Sequence, residues 1–363
     1  MRGVEMLKSF ARAAAFLVYL AITLEMLFMV APFALYYYSF YSPLLSGPSG
    51  LKAIAWLPAF FLPHLSTEIL PSLGGVIFLL GLVGFFLSAF QLYYTKFRRR
   101  GVVRGGFYKR IRHPQYLSLG VAGLGLLVVW PRFILLLAYI NMLWFYYLLA
   151  RSEERRIEAR YGQAYREQVQ RTSMFLPGEP GGRLVRRLFG WIHGHPARLL
   201  VVYGISLAGA IGAAFVLRGL TFSVTTHLSL PYQRIAAVSF LSVNEGELRR
   251  LIESVDSAEE IRDRIRKLDD WVLIQAMDGK PRVVHVMIDA GMTRISAKDL
   301  PLADKGIKLV FCRRKEGPSH EDPFSIRAHW QPVFVAEMNG QKTSRVIELS
   351  QSSFLGNPVM PVF

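Results

Sequence analysis

The sequence predicts an all-α, multi-pass membrane helical bundle of about five spans, followed by a C-terminal soluble α+β domain. Three observations carry this. Apolar residues make up 52% of the 363-residue chain, give a mean hydropathy of +0.29, and are gathered into long blocks. A block of about 17–25 apolar residues is what crossing the hydrocarbon of a bilayer requires. The formal charge of +17 is unevenly placed: residues 1–216 hold 23 basic and 8 acidic residues, a balance of +15, while 217–363 hold 20 and 18, a balance of +2. The excess lies in loops between apolar blocks, where positive-inside bias and anionic lipid headgroups account for it without a nucleic-acid partner. The reading divides the chain into a membrane-embedded module at 1–196, a final transmembrane helix at 197–217 and a soluble domain at 218–363.

The first span is predicted within residues 11–40, with Glu25 inside it. An acid at that depth needs a partner or a polar cavity, so Glu25 is read either as a substrate or proton contact or as half of an interhelical pair. The N-terminal apolar run is too long for the core of a cleavable signal. Residues 51–64 hold a short apolar piece broken by Pro58, which fits an interfacial or re-entrant segment better than a span. A second span is predicted at 74–95. It ends in a loop, Lys96 to Arg112, with eight basic residues and no acid. Two apolar runs, 114–129 and 132–150, are separated only by Trp130-Pro131 and predict a tight helical hairpin. The last span is predicted at 197–217. Charge placement puts the basic loops in the cytoplasm and the C-terminal domain outside it.

Beyond 217, Asn244-x-x-Glu247 and Ser257-x-x-Glu260 have the form of capping boxes that start helices. Strand-like runs follow at 271–277, 282–288, 307–312, 331–338 and 344–349. Asp278-Gly279 and Asn339-Gly340 are hairpin-type turn signals. The one cysteine, Cys312, excludes an intrachain disulfide and reads as a small buried hydrophobe. The sequence has no Cys/His metal spacing, no phosphate-binding glycine loop and no nucleophile-elbow motif, and His227, His285, His320 and His329 are scattered.

The stretch RIRHPQYLSLG at 110–120 carries chemistry beyond topology. Pro114 suits the first position of a helix. With Arg110, Arg112 and His113 gathered at that end, the arrangement is either an anion site or positive-inside anchoring. Tyr116 lies in the first turn, where it either meets a ligand or sits at the membrane interface. Gly123-x-Gly125 permits close approach of a ligand or of another helix. Glu153-Glu154 follows the end of a span. Adjacent helical residues point about 100° apart, so the pair is either a ribose-binding acid with a solvated neighbour or a charged helix face. Ile157, Tyr161, Tyr165 and Val169 form an amphipathic stripe, and Asn141 is a buried amide read as an interhelical bond.

Two blocks, GFYKRIRHPQYLSLG at 106–120 and EERRIEARYGQAYREQVQRTSMFLP at 153–177, together resemble the isoprenylcysteine carboxyl methyltransferase and phospholipid methyltransferase family. The resemblance covers about residues 103–177. It implies a membrane enzyme that takes a methyl group from S-adenosylmethionine on the cytosolic side and passes it to a lipid-like or prenylated acceptor bearing a carboxylate or amine. It assigns Arg112, His113 and Tyr116 to the cofactor-binding block, Glu153 and Glu154 to an acidic pair contacting the cofactor, and Tyr165 to a segment closing over the site. Gly123 and Gly125 join them as cofactor-site candidates, and Glu25 and Glu153 are candidates for the base that an amine acceptor would need. Ser118 departs from the pattern, where glycine is expected. Two other readings stand beside this one: a non-catalytic membrane sensor or scaffold whose degenerate module anchors the C-terminal domain and its protein partner, and a sterol-reductase-like NADPH enzyme, which shares an Arg-His-Pro-x-Tyr pattern.

Overall fold

In a computed structural model of the protein, the five apolar blocks expected to span become helices. They are α1 (Thr23–Tyr37), α2 (Ile69–Phe97), α3 (Pro114–Val129), α4 (Phe133–Tyr161) and, after the short amphipathic α5 (Gln163–Arg171), α6 (His195–Val224). The structure describes residues 16, 20, 23–37, 54, 56–62, 69–98, 103, 105–176, 187, 188, 191, 195–239, 243–256, 258–268, 270–278, 306–316, 322–339, 342–348 and 360–361. Among them, three helices are long and apolar enough to cross a membrane: Ser72–Phe97, Phe133–Tyr161 and Pro196–Val224. The expected count of five is not confirmed on length among the described residues. At about 1.5 Å per residue, the 16 residues of α3 rise about 24 Å, short of a hydrocarbon core of about 30 Å. The chain as a whole is mixed in class rather than all-α, because its C-terminal part is built on a sheet.

The described residues fall into two compact units, one drawn from within 1–40, 76–126 and 139–204, the other from within 41–75, 127–138 and 205–363. In the first unit, α2 lies against α3 through glycine. A Cβ added to Gly81 would meet the backbone of Ala122 at 2.3 Å and of Ser118 at 2.7 Å. One turn on, a Cβ on Gly84 would lie 2.8 Å from the Ser118 hydroxyl. Ser118, the position at which the resemblance expects glycine, lies with its side chain against Gly84 on the facing helix. Asn141 accepts a hydrogen bond from the Tyr203 hydroxyl at 2.9 Å, the interhelical role expected of it.

In the second unit, residues 56–62 run without helix across the start of α4. Their carbonyls cap α4: Phe133 and Ile134 donate backbone N–H bonds to Ala59 and Leu57. The buried Arg132 and Arg218 donate to the carbonyls of Pro58 and Phe60. Trp130 stacks on Phe60, and the Arg132 guanidinium lies 4.0 Å above the Phe60 ring.

The same unit holds a seven-stranded sheet in the order β1-β2-β3-β4-β5-β6, with β7 paired to β5. Its strands are β1 (Thr226–Leu230), β2 (Ile235–Ser239), β3 (Val272–Asp278), β4 (Ile307–Glu316), β5 (His329–Asn339), β6 (Lys342–Glu348) and β7 (Met360–Pro361). Only β2 and β3 pair in parallel. A parallel pair needs a crossover, and α7 (Glu245–Asp256) with α8 (Glu259–Arg266) provides it. Asn244 and Glu247 close both bonds of the expected capping box, each at 2.9 Å. The second box is placed differently: α8 is capped at Ala258, and Ser257 lies outside the described residues. The hairpin at Asn339 forms, with Asn339 opposite Lys342. The strand expected at 282–288 also lies outside the described residues. Leu248, Ile252, Val255 and Ile261 cover one sheet face, on Ile274, Phe311 and Phe334.

Gly81→Ala is expected to destabilise the protein by about 1–3 kcal/mol, because the added carbon meets backbone that cannot yield. Gly75→Ala in the same helix, where nothing lies within 4 Å, should cause no loss. Thermal unfolding of the two variants in detergent reads the difference.

Candidate functional site

Pro114 starts α3, and Leu117 donates to the His113 carbonyl, so His113 caps the helix as its sequence position implies. The segment before it is fixed by backbone pairing that periodicity does not signal. Ser173 donates to the Arg110 carbonyl at 3.0 Å, Arg112 to Ser173 at 2.9 Å, and His113 to Met174 at 3.1 Å. The chain after α5 therefore lies alongside residues 110–113, and the two sequence blocks are bound together through their main chains. Gly162, at φ +53°, makes the turn from α4 to α5, a conformation that favours glycine. From α5, the Gln168 amide donates to the Val103 carbonyl at 2.9 Å.

Four charged or chargeable side chains meet at this junction. Arg112 Nε donates to Glu154 Oε1 at 2.6 Å, and its Nη1 donates to the carbonyl of Thr172 and, at 3.3 Å, to that of Val169. The His113 ring stands between the two acids, with Nδ1 3.4 Å from Glu153 Oε2 and Nε2 3.4 Å from Glu154 Oε1. These are ion-pair distances. Both ring nitrogens are buried without a hydrogen-bond partner. The Tyr116 hydroxyl donates to Glu153 Oε1 at 2.6 Å. Of the two acids, Glu153 is the more open, with 26% of its side chain exposed against 12% for Glu154.

Burial opposes a charge on His113, but the negative carboxylates of Glu153 and Glu154 on either side of the ring outweigh it and raise the imidazole above its ordinary value. Tyr165, expected to close over the site, is buried beside Glu154, and burial first, then the charge of Glu154, raises its hydroxyl. An aromatic row backs the cluster. Tyr146 stacks on Tyr116 at 5.0 Å, Tyr116 on His113 at 5.5 Å, and Phe175 lies 6.0 Å from His113.

The expected residues Arg112, His113, Tyr116, Glu153, Glu154 and Tyr165 are thus brought together, and Glu153-Glu154 is not a solvated charged face. Gly123 is placed differently, at a helix contact, where an added Cβ would meet Met142 at 2.7 Å and Tyr139 at 3.1 Å. Its carbonyl accepts from the Tyr36 hydroxyl. Gly125 is buried two residues further on. Glu25 pairs with Lys96, each about two-fifths exposed. Lys96 is close enough for its charge to act on Glu153, and Tyr93, with a buried hydroxyl lacking a hydrogen-bond partner, lies beneath the Lys96 ammonium. Sequence reading missed Lys96, Tyr93 and Tyr146. The basic loop hides the first among its neighbours, and the two tyrosines look like interfacial aromatics. No protein-family profile, curated protein or solved structure matches the chain.

Arg112→Gln or Glu154→Gln alone should cost about 3–5 kcal/mol by leaving a buried charge unpaired. The double variant should cost less than the sum, which denaturation of all four proteins measures. Because the folded state raises the imidazole, His113 contributes stability that is full below about pH 6.5 and fades as pH rises through its raised value. The stability difference between wild type and His113→Asn should therefore shrink as pH rises. A difference that grows would reverse the sign.

Proposed function

We propose that the protein is an integral-membrane methyltransferase that uses S-adenosylmethionine and methylates a lipid-like or prenylated amphiphile. The observation that carries the reading is the gathering of the buried Arg112, His113 and Tyr116 with the partly buried Glu153 and Glu154 in one cluster built from two sequence blocks about forty residues apart. Buried ionisable groups cost stability in a helical bundle and persist where a function needs them.

The donor set fits the cofactor. Two carboxylates, one of them partly open, complement its sulfonium, ammonium and ribose hydroxyls. Tyr116 and Tyr146, stacked on one another and on His113, back the cluster from within the protein. His113 keeps two buried ring nitrogens free of hydrogen bonds. When bound, the cofactor supplies an electrophilic methyl carbon. The chain's residues bind and align it, since transfer depends on in-line positioning more than on a strong base. Arg112, whose Nε and Nη1 are committed to Glu154, Thr172 and Val169, is assigned to positioning Glu154 rather than to capturing the cofactor carboxylate directly. We retain five spans, α1 and α3 included, with the basic loops cytosolic and the sheet domain on the opposite side.

One observation favours the scaffold reading: each charge in the cluster already faces an opposite one. Calorimetry of the purified protein with S-adenosylmethionine and with NADPH separates the readings. Binding of the first alone is expected. His113→Ala and Glu154→Gln should each lose about 1.5–3 kcal/mol of affinity, roughly tenfold to a hundredfold. Failure to bind S-adenosylmethionine, or unchanged affinity in both variants, sinks the methyltransferase reading, and binding of NADPH instead supports the reductase.

A further inference from the structure

The surroundings of His113 hold a constraint that the proposed function leaves unused. A neutral imidazole has one N–H donor and one lone-pair acceptor, whereas an ionised carboxylate only accepts. Both ring nitrogens of His113 face carboxylate oxygens, at 3.4 Å on either side. Whichever nitrogen of a neutral ring lacked the proton would set its lone pair against an oxygen lone pair in a site 3% exposed. Only the doubly protonated ring suits both neighbours.

The charge sum agrees. Arg112 and an imidazolium balance Glu153 and Glu154, and the Glu25–Lys96 pair adds nothing net. A buried cluster is cheapest when neutral. α4 brings Glu153 and Glu154, α5 brings Tyr165 beside Glu154, α2 brings Lys96 and Tyr93, and α1 brings Glu25. Arg112 and Tyr116 flank His113 in its own segment.

We propose that His113 is the residue that distinguishes a cationic ligand from its neutral counterpart, by holding a proton in the free protein and releasing it when a positive charge arrives beside Glu153 and Glu154. The inference rests on the S-adenosylmethionine reading. The N–H bond at Nδ1, which faces the more open Glu153, breaks; its proton passes to bulk solvent, and the ring becomes neutral. The cluster then carries one net negative charge, which the sulfonium balances. After methyl transfer the ligand is a thioether without that charge, and His113 recovers a proton from solvent. The neutral product thereby meets a neutral cluster and loses the attraction that held the substrate form. His113 sets specificity for the charged form of the cofactor and favours release of the spent one.

S-adenosylmethionine and S-adenosylhomocysteine form a matched pair of probes, because they differ by one methyl group and one positive charge. Calorimetry of the wild-type protein in buffers of different ionisation enthalpy, between about pH 5.5 and 6.5 where both ligands keep their amino and carboxyl charges, counts protons exchanged. The expected result is release of close to one proton per S-adenosylmethionine bound and close to none for S-adenosylhomocysteine. Affinity for the first should rise about tenfold per pH unit below the His113 value, and affinity for the second should stay level. His113→Asn should flatten the first profile if it folds and binds.

A ligand-independent arm guards against failure of that variant. Nitrogen-15 spectra of histidine-labelled free protein should show one imidazole doubly protonated at pH 7, which Glu153→Gln shifts toward neutral. Equal proton counts for the two ligands, or a His113 ring neutral at pH 7, would overturn the proposal while leaving cofactor binding intact. Binding by neither ligand would overturn the cofactor reading and the discrimination with it, and the spectra would still decide the charge of the free ring.

Discussion

Two carboxylates that follow one another on a helix cannot both leave water without positive partners, and the structure around residues 110–116 is organised by that requirement. Glu154 takes Arg112, Glu153 takes the Tyr116 hydroxyl, and His113 stands between the acids. To deliver those groups, the chain before α3 must hold one path, which the main-chain bonds between 110–113 and 173–174 enforce. Those bonds need the end of α5 beside the loop. The turn at Gly162 brings α5 back, and Gln168 ties it to Val103. Remove the pair of acids, and the order of α5, its following segment and the start of α3 loses its cause. The same dependence explains why the cluster binds separate sequence blocks: neither block satisfies its charges alone.

A related rule governs the non-helical strap at 56–62. Buried backbone without helical bonds is tolerated only when its polar groups find partners in the protein. Here the carbonyls of Pro58 and Phe60 receive guanidinium donors from Arg132 and Arg218, and Phe61 donates to Pro131. Leu57 and Ala59 spend their carbonyls on the first free N–H groups of α4, which would otherwise be orphaned. Buried arginine thus serves the backbone in the second unit and a carboxylate in the first.

Much of this was legible because it is local. Pro114 marks the start of α3, Asn244 and Glu247 form a box whose bonds span three residues, and Asn339 opens a tight hairpin. The candidate site was readable in two short blocks only through the resemblance they carry together, since positive-inside anchoring and a charged helix face account for the same residues one block at a time. What escaped depends on partners distant in the chain. The pairing of Ile111 with Ser173 leaves no periodicity, and Lys96 gains meaning only once Glu25 and Glu153 lie near it. β1 and β2 were missed because THLSL and IAAVS are short and carry little aromatic or alternating signal. Gly123 was assigned to a ligand because small residues in a membrane helix look alike whether a ligand or a neighbour fills the space, and here Tyr139 and Met142 fill it.

The sheet bears on what the C-terminal part contributes. An α+β domain on a flexible tether would leave the sheet face opposite its helices in water, and that face would be polar. Instead Val238, Leu273, Val310, Cys312 and Trp330 form a second core there, joined by Trp271, Phe324 and Trp130. Trp130 belongs to the link between α3 and α4, so this core draws on the helical hairpin as well as the strands. Burial there pushes the Cys312 thiol well above its ordinary range, which leaves it inert as a nucleophile. At the other junction, one residue separates α6 from β1, and His227 packs on Phe222 and Phe324. The composition changes at 217, but α6 runs on to Val224 and leads almost directly into the sheet. Within the second unit, the sheet thus packs on the link that holds Trp130 and on the end of α6. A change in the α3–α4 link therefore acts on the sheet through side-chain contact rather than through a slack connection.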